Sequence, residues 1–251
     1  MLVVLYGLMA ATPQLAANLL HDRLRSVLAP AGEVAVQVES DPPIRAVGGA
    51  VDRIAVRISH GDFSGMPFES LVLETQPFEY DPVALLINRQ LILRTPLAAS
   101  ASLDLTEENL TAAVRSPLVS ARLKGLTIPR FGLPGLALSP HVDLIPKQAQ
   151  LRDGRIELTG QIRVAELGIV LPFVFGTRPT LLATNRLMIA DTRIQVLGRN
   201  LASDESLGTL LPQFLDLGQI ASDSVQLALM TLRITEGRIH LSGQAILWHL
   251  P

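Results

Sequence analysis

The sequence predicts an α+β fold: a strongly curved antiparallel β-sheet wrapped around a long N-terminal helix, with one or two further helices. Three observations carry this expectation. The first is a hairpin written twice, as QLRDGRIELTGQIRV over residues 150–164 and as RITEGRIHLSGQAIL over 233–247. Gly154, Arg155, Ile156, Leu158, Gly160 and Gln161 recur as Gly237, Arg238, Ile239, Leu241, Gly243 and Gln244. In each copy an acidic-Gly turn separates two strands, because Gly reaches positive φ without strain. The second observation is the period-two alternation that recurs through most of the chain. The third is an apolar stripe at helical spacing between Pro13 and Leu28. The midstrand glycines Gly160 and Gly243 imply a close backbone approach or a bend, which is how a sheet comes to curl.

Taken in order, residues 1–12 form an apolar lead and residues 13–251 a single domain carrying the duplicated hairpin. The lead, MLVVLYGLMAA before Thr12, covers only about half of a ~30 Å hydrocarbon core. No Lys or Arg precedes it, as the n-region of a signal peptide would require. Two readings stay open: a membrane-associating or atypical export segment, and the buried start of the first helix. That helix has Thr12 as N-cap and Pro13 at its first position, and Ala29-Pro30-Ala31-Gly32 stops it. Its stripe is Leu15, Leu19, Leu20, Leu24, Val27 and Leu28. Val34, Val36 and Val38 mark a strand, as do Val51, Ile54, Val56 and Ile58. Gly61 to Pro67 reads as a loop before a strand at Ser70–Thr75. Asp81 with Pro82 starts a short helix to Asn88.

The alternating LAASASLDL then runs into TEENLTAAVR, a helix opened by Thr106 and Asn109 in a near capping box. Glu107 and Glu108 occupy its first turn, where the helix dipole favours them. Residues 128–140 and 168–176 are rich in Pro or Gly yet apolar, and read as loops. Further strands run from Thr180 to Val196. A helix over Ser203–Leu217, kinked at Pro212, precedes the second hairpin copy.

Composition narrows the functional classes. Hydrophobic residues make up 48% and charged residues 18%, an apolar excess that points to a lipid-facing cavity or a membrane-facing surface. Aromatics are only 4%, so stacking platforms for sugars or single-stranded nucleic acid are not expected. The net charge of −2 and the lack of a basic run leave no footprint for nucleic acid. Absence of cysteine excludes disulfides, thiolate metal sites and Cys nucleophiles.

No phosphate-binding, dinucleotide, nucleophile-elbow or zinc-protease motif is present. The histidines His21, His60, His141, His240 and His249 are not at metal-ligand spacing. Ser64 with His60 and Asp62 lies on one short segment, which is not how triads are built. No catalytic residue, metal or cofactor is therefore expected. What remains is apolar. Leu19, Leu24, Ile156, Leu158, Ile162, Ile239 and Leu241 are the expected lining of a lipid groove. Phe131, Leu133, Leu136, Phe173 and Phe175 are expected in exposed membrane-docking loops. Arg130 and Arg178, beside those loops, are the expected head-group contacts.

Further segments carry a family resemblance: Gly49-Ala-Val-Asp-Arg-Ile-Ala-Val-Arg-Ile58, Glu69-Ser-Leu-Val-Leu73, Pro96-Leu-Ala-Ala, Leu105-Thr-Glu-Glu-Asn-Leu110 and Asp153-Gly-Arg-Ile-Glu-Leu158. Over residues 15–250 the chain resembles the bacterial LmeA-like phospholipid-binding family of envelope proteins. Asn109 stands where that family more often has Asp. The resemblance implies a fold similar to tubular lipid-binding domains, in which a curved sheet on a long helix leaves a hydrophobic groove. It implies a non-enzymatic phospholipid binder of the cell envelope, periplasmic or membrane-associated, serving lipid transfer or envelope maintenance. The alternative is a structural or adaptor protein of the membrane surface, with a filled core and no ligand.

Overall fold

The structure is a computed structural model that describes residues 17–18, 21, 32–63, 66–88, 92–127, 141–183, 186–200 and 225–247. The first part of the chain builds β1 (Glu33–Glu39), α1 (Ile44–Val47), β2 (Ala50–Val51), β3 (Arg53–Phe63), β4 (Met66–Thr75) and β5 (Phe78–Glu79). A π-helical turn (Ala84–Asn88) leads to β6 (Leu97–Thr106), α2 (Glu107–Arg115), α3 (Pro117–Arg122) and β7 (Leu126–Thr127). Then come β8 (His141–Arg152), β9 (Arg155–Val164), a 3₁₀ turn (Ala165–Leu167), β10 (Ile169–Ala183), β11 (Arg186–Val196) and β12 (Arg199–Asn200). The last strands are β13 (Val225–Thr235) and β14 (Arg238–Leu247). The α+β class, mostly antiparallel strands with a few short helices, is as expected.

The β-structure is divided, however, where one continuous sheet was expected. A first six-stranded sheet has the order β1-β3-β4-β6-β14-β13, a second has β12-β11-β10-β9-β8-β7, and β2 with β5 forms a small ribbon. Every pairing among the described residues is antiparallel. The two hairpin copies go to different sheets: β8–β9 sits in the second, while β13–β14 returns to pair with β6 in the first. Of the expected long N-terminal helix, Ala17, Asn18 and His21 are helical. The rest of that helix, Leu19 and Leu24 included, and the helix at 203–217 lie outside the described residues.

Two expected loops are strand. Gly61–Phe63 continues β3 and pairs with Met66–Phe68 of β4. The apolar stretch 168–176 lies almost wholly in β10, which runs unbroken through Pro172 and Pro179. Proline removes a ladder hydrogen bond and is tolerated where a strand has an open flank. Pro172 lies beyond Phe173, the last β10 residue that pairs with β11, and Pro179 lies beyond Thr177, the last that pairs with β9. Only the segment between the two prolines is paired on both sides.

Two packed clusters hold the sheets. The first gathers Val34, Val51, Ile54, Val56, Ile58, Phe68, Phe78 and Tyr80, and the second Val142, Ile162, Val164, Phe173, Phe175 and Val196. The sheets meet along α2, which packs on β4, β6 and β8. The capping box that opens α2 is complete. Thr106 Oγ1 accepts from Asn109 N at 3.2 Å, and Asn109 Oδ1 accepts from Thr106 N at 3.0 Å. Thus Asn109 does the work of the usual Glu or Gln.

Candidate functional site

Strand alternation writes one apolar face across the whole first sheet. Following the cross-strand register, Val34, Ile58, Leu71, Leu103, Leu241 and Leu232 form one row. The next row is Val36, Val56, Leu73, Ala101, Gly243 and Leu229; beyond it Val38 pairs with Ile54 on one side, and Thr75 with Ala99 and Ala245 on the other. Burial falls along these rows. Ile54, Val56 and Ile58 on β3 are closed over by Phe68, Phe78, Tyr80, Leu85 and Leu93. On β6, β14 and β13 the residues Ala99, Ala101, Leu103, Leu241, Ala245, Leu229 and Leu232 are only half-buried. At the centre of that half-open part the side chains are small: Ala99 and Ala101 beside Ala245 and Gly243.

The expected groove residues divide in the same way. Ile162 and Ile239 are closed, at 1% and 4% exposure, whereas Ile156, Leu158 and Leu241 stay half-open. Ile156 and Leu158 of the first hairpin take the places of Ile239 and Leu241 in the second, and the two hairpins lie in different sheets. Sequence reasoning missed the alanine floor of β6. The signal was the small residue at alternate places in Leu97-Ala-Ala-Ser-Ala-Ser.

The docking-loop expectation fails for two of its residues. Phe173 and Phe175 are 6% and 8% exposed, because they point inward from β10 into the second core. A Cβ on Gly160 would meet Phe173 Cε1 at 2.7 Å, so the ring lies across the bare backbone of β9. This is the close approach that a midstrand glycine implies. Phe131, Leu133, Leu136 and Arg130 lie outside the described residues. Arg178 is on β10, half-exposed, with Nη1 3.8 Å from Asp191 Oδ2. Arg155 of β9 faces the same carboxylate at 3.9 Å.

The opposite face of the first sheet is polar. Asp104 Oδ1 lies 2.8 Å from His240 Nδ1, and Asp104 Oδ2 accepts from Ser70 Oγ at 2.8 Å. Burial works to raise the Asp104 pKa. The hydrogen bonds of His240 and Ser70, with the charges of His240 and Arg238, outweigh it and hold the carboxyl below its usual range. The carboxylate sits between the hydroxyl and the imidazole here, whereas a nucleophilic triad needs the imidazole in the middle. A shallow concavity of about 330 Å³ on this sheet is lined mainly by Glu74, Ser100, Ser102, Ser242 and Gln244, with Val72 and Met230 at its side. A second, of about 400 Å³, lies along α2 and β8 beside Glu107, Thr111, Arg115 and Gln148. Among the described residues no group of three or more His, Asp or Glu side chains could hold a metal ion.

At the seam between the sheets, polar side chains of α2 bind a strand edge. Thr111 Oγ1 accepts from Ala149 N at 3.0 Å and donates to Ala149 O at 3.4 Å, and Glu107 Oε1 accepts from Leu151 N at 2.6 Å. Arg115 donates to Lys147 O. The turn of the second hairpin joins them: Gly237 N donates to Leu151 O at 3.1 Å, and Glu107 N to Gly237 O at 3.3 Å.

Compared with known proteins, the chain is matched over residues 10–244 by the family model described as LmeA-like phospholipid-binding. No curated protein and no solved structure matches it.

Proposed function

The chain belongs to the LmeA-like phospholipid-binding family, and on that premise we propose that it is a non-enzymatic phospholipid carrier or holder of the bacterial cell envelope. Acyl chains lie against the half-open apolar face of β6, β14 and β13, over the floor made by Ala99, Ala101, Gly243 and Ala245. The observation that carries this reading is the gradient along the first sheet. Large side chains close the β1–β3 end into a core, and small ones leave the β6–β14 end open. Burial supplies the driving force at ~0.8 kcal/mol per methylene, so about ten methylenes gain roughly 8 kcal/mol before ordering costs. The phosphate stays near water. Phospholipid exchange with a membrane, in transfer or in envelope maintenance, is the role this chemistry serves.

Native mass spectrometry of gently purified protein, followed by lipid extraction from the same sample, tests the reading. Stoichiometric phospholipid is the expected result. Bare protein that also takes up no added phospholipid overturns it, and leaves a membrane-surface scaffold with a filled interior as the better description.

A further inference from the structure

One end of the first sheet displays aliphatic side chains where a soluble domain would hide them. Ile44 and Val47 of α1 are 49% and 39% exposed, Val83 and Ile87 around the π-helical turn 59% and 75%, and Ile92 49%. Isolated exposed aliphatics are ordinary, but five on two neighbouring segments are not. The two segments are pinned together. Tyr80 Oη donates to Ala46 O and Tyr80 N to Gly49 O, each at 2.7 Å, and β2 pairs with β5 just behind. Asp81 N donates to Ile92 O at 2.8 Å, which ties down the far side of the π-helical turn. The described aromatics of this end, Phe78 and Tyr80, are buried at 4% and 7%. The large rings are therefore inside and the branched aliphatics outside.

We propose that this end docks the protein on a phospholipid bilayer, with Val83, Ile87 and Ile92 inserting among the acyl chains. The proposal rests on the reading that the ligand is a phospholipid, which the protein must meet at a membrane. Two observations favour a bilayer over a protein partner. Protein interfaces are anchored by aromatic and hydrogen-bonding residues, and the large apolar side chains exposed here among the described residues are all aliphatic. The same segment also carries Leu85 and Leu93, which pack against the first core, and the buried Ala84. The exposed end thus runs on in the chain into the first core, whose other members line the inner face of the sheet. Arg45 and Arg94 flank the end, half-exposed, paired with Asp52 at 2.8 Å and with Asp81 at 3.5 Å. With the exposed Asp41 and Glu79 beside them, the pairs leave the described residues of this end without net positive charge, and each guanidinium keeps further donors for lipid phosphate oxygens. Docking is thus driven by insertion and is insensitive to salt.

The test is flotation of the full chain with phosphatidylcholine vesicles, run beside uptake of a short-chain phosphatidylcholine kept monomeric in solution. Wild type should float with vesicles equally at low and high salt. Ile87→Ser with Ile92→Ser should lower partitioning by about tenfold or more. Ile87→Ser alone, at a side chain that stands in solvent, should lower it several-fold with an unchanged melting temperature. All variants should still take up the monomeric lipid. Leu197→Ser, an equally exposed aliphatic on the second sheet, should change nothing. Wild type that stays in the aqueous phase overturns the proposal, and so does an Ile87 variant that floats like wild type. A Leu197→Ser loss as large as that of the double variant also overturns it. Wild type that floats but takes up no monomeric lipid sinks the phospholipid-holding reading instead and leaves docking standing.

Discussion

Gly160 shows how much one missing side chain can organise. Its bare backbone lets the Phe173 ring cross β9, and the Ile145 carbonyl and Pro146 Cα of β8 close in from the other side. An added methyl there must push against backbone on one flank and a core ring on the other. Gly160→Ala should therefore cost about 2–3 kcal/mol in urea unfolding. Gly154 is a glycine for another reason. Its φ is +75° and nothing lies within 4 Å of the place a Cβ would take, so Gly154→Ala should cost only the backbone term, about 1 kcal/mol. Equal losses at the two sites would contradict this division. Asp104 gives a prediction in pH. Folding lowers the pKa of this carboxyl, so its contribution is complete above the unfolded carboxylate value of about 4 and is lost as pH falls through the folded value. Wild type should exceed Asp104→Asn in stability near pH 6, and the gap should close below about pH 4. A gap that persists into acid would show that the carboxylate charge is not what His240 and Ser70 recognise.

Among the elements, α2 does something its own sequence conceals. Glu107, Thr111 and Arg115 repeat every four residues and rise about 6.0 Å per step on a helix. Leu151, Ala149 and Lys147 repeat every two residues and advance about 6.7 Å per step on a strand. The two spacings nearly match, so one helix face satisfies the polar edge that β8 would otherwise leave without a neighbouring strand. The helix itself, with its Thr106–Asn109 box and its first-turn glutamates, was plain in the sequence. Its clasp on β8 was not, because Leu151 is 44 residues from Glu107 and nothing local marks a partner at that distance. Thr111→Val keeps the shape and removes both hydrogen bonds to Ala149. It should cost about 1–3 kcal/mol, with faster amide exchange at Ala149 and Leu151. Unchanged exchange at these two amides would mean that the clasp does not protect the edge.

At the scale of the whole molecule, the likeness of the two hairpins goes beyond the six matched residues. β8 slips register between Pro146 and Gln148, and β13 slips between Leu229 and Thr231. The bulged residues Lys147 and Met230 take the same place in each hairpin, and Gly160 and Gly243 pair with Pro146 and Leu229 just beside them. Each bulge thus meets a bare backbone, which lets a strand bend without clash. The two hairpins nonetheless finish in different surroundings. Phe173 fills the space over Gly160, whereas Gly243 faces the backbone of Ala228 and Leu229 and lies in the small-residue floor. Ala101→Leu with Ala245→Leu would fill that floor with two branched side chains. The prediction is a folded protein that retains several-fold less phospholipid after purification, read by the same native mass spectrometry. Undiminished lipid would place the acyl chains elsewhere.

By itself the sequence determined what short-range chemistry dictates. Alternation marked the inward faces, Asp153-Gly154 turned the first hairpin with both φ values positive, and Thr106 with Asn109 opened α2. It also excluded cysteine chemistry, and its spaced motifs carried the family. Tertiary structure alone decided which strands became neighbours, and so that the hairpin copies parted into two sheets. It alone buried Phe173 and Phe175, since an apolar stretch around a proline reads equally well as an exposed loop or as a strand with one open flank. It alone left the aliphatics around Ile87 in solvent. The reason is physical. Periodicity says which side of an element is apolar, but whether that side meets another element, a lipid or water depends on residues far away in the chain.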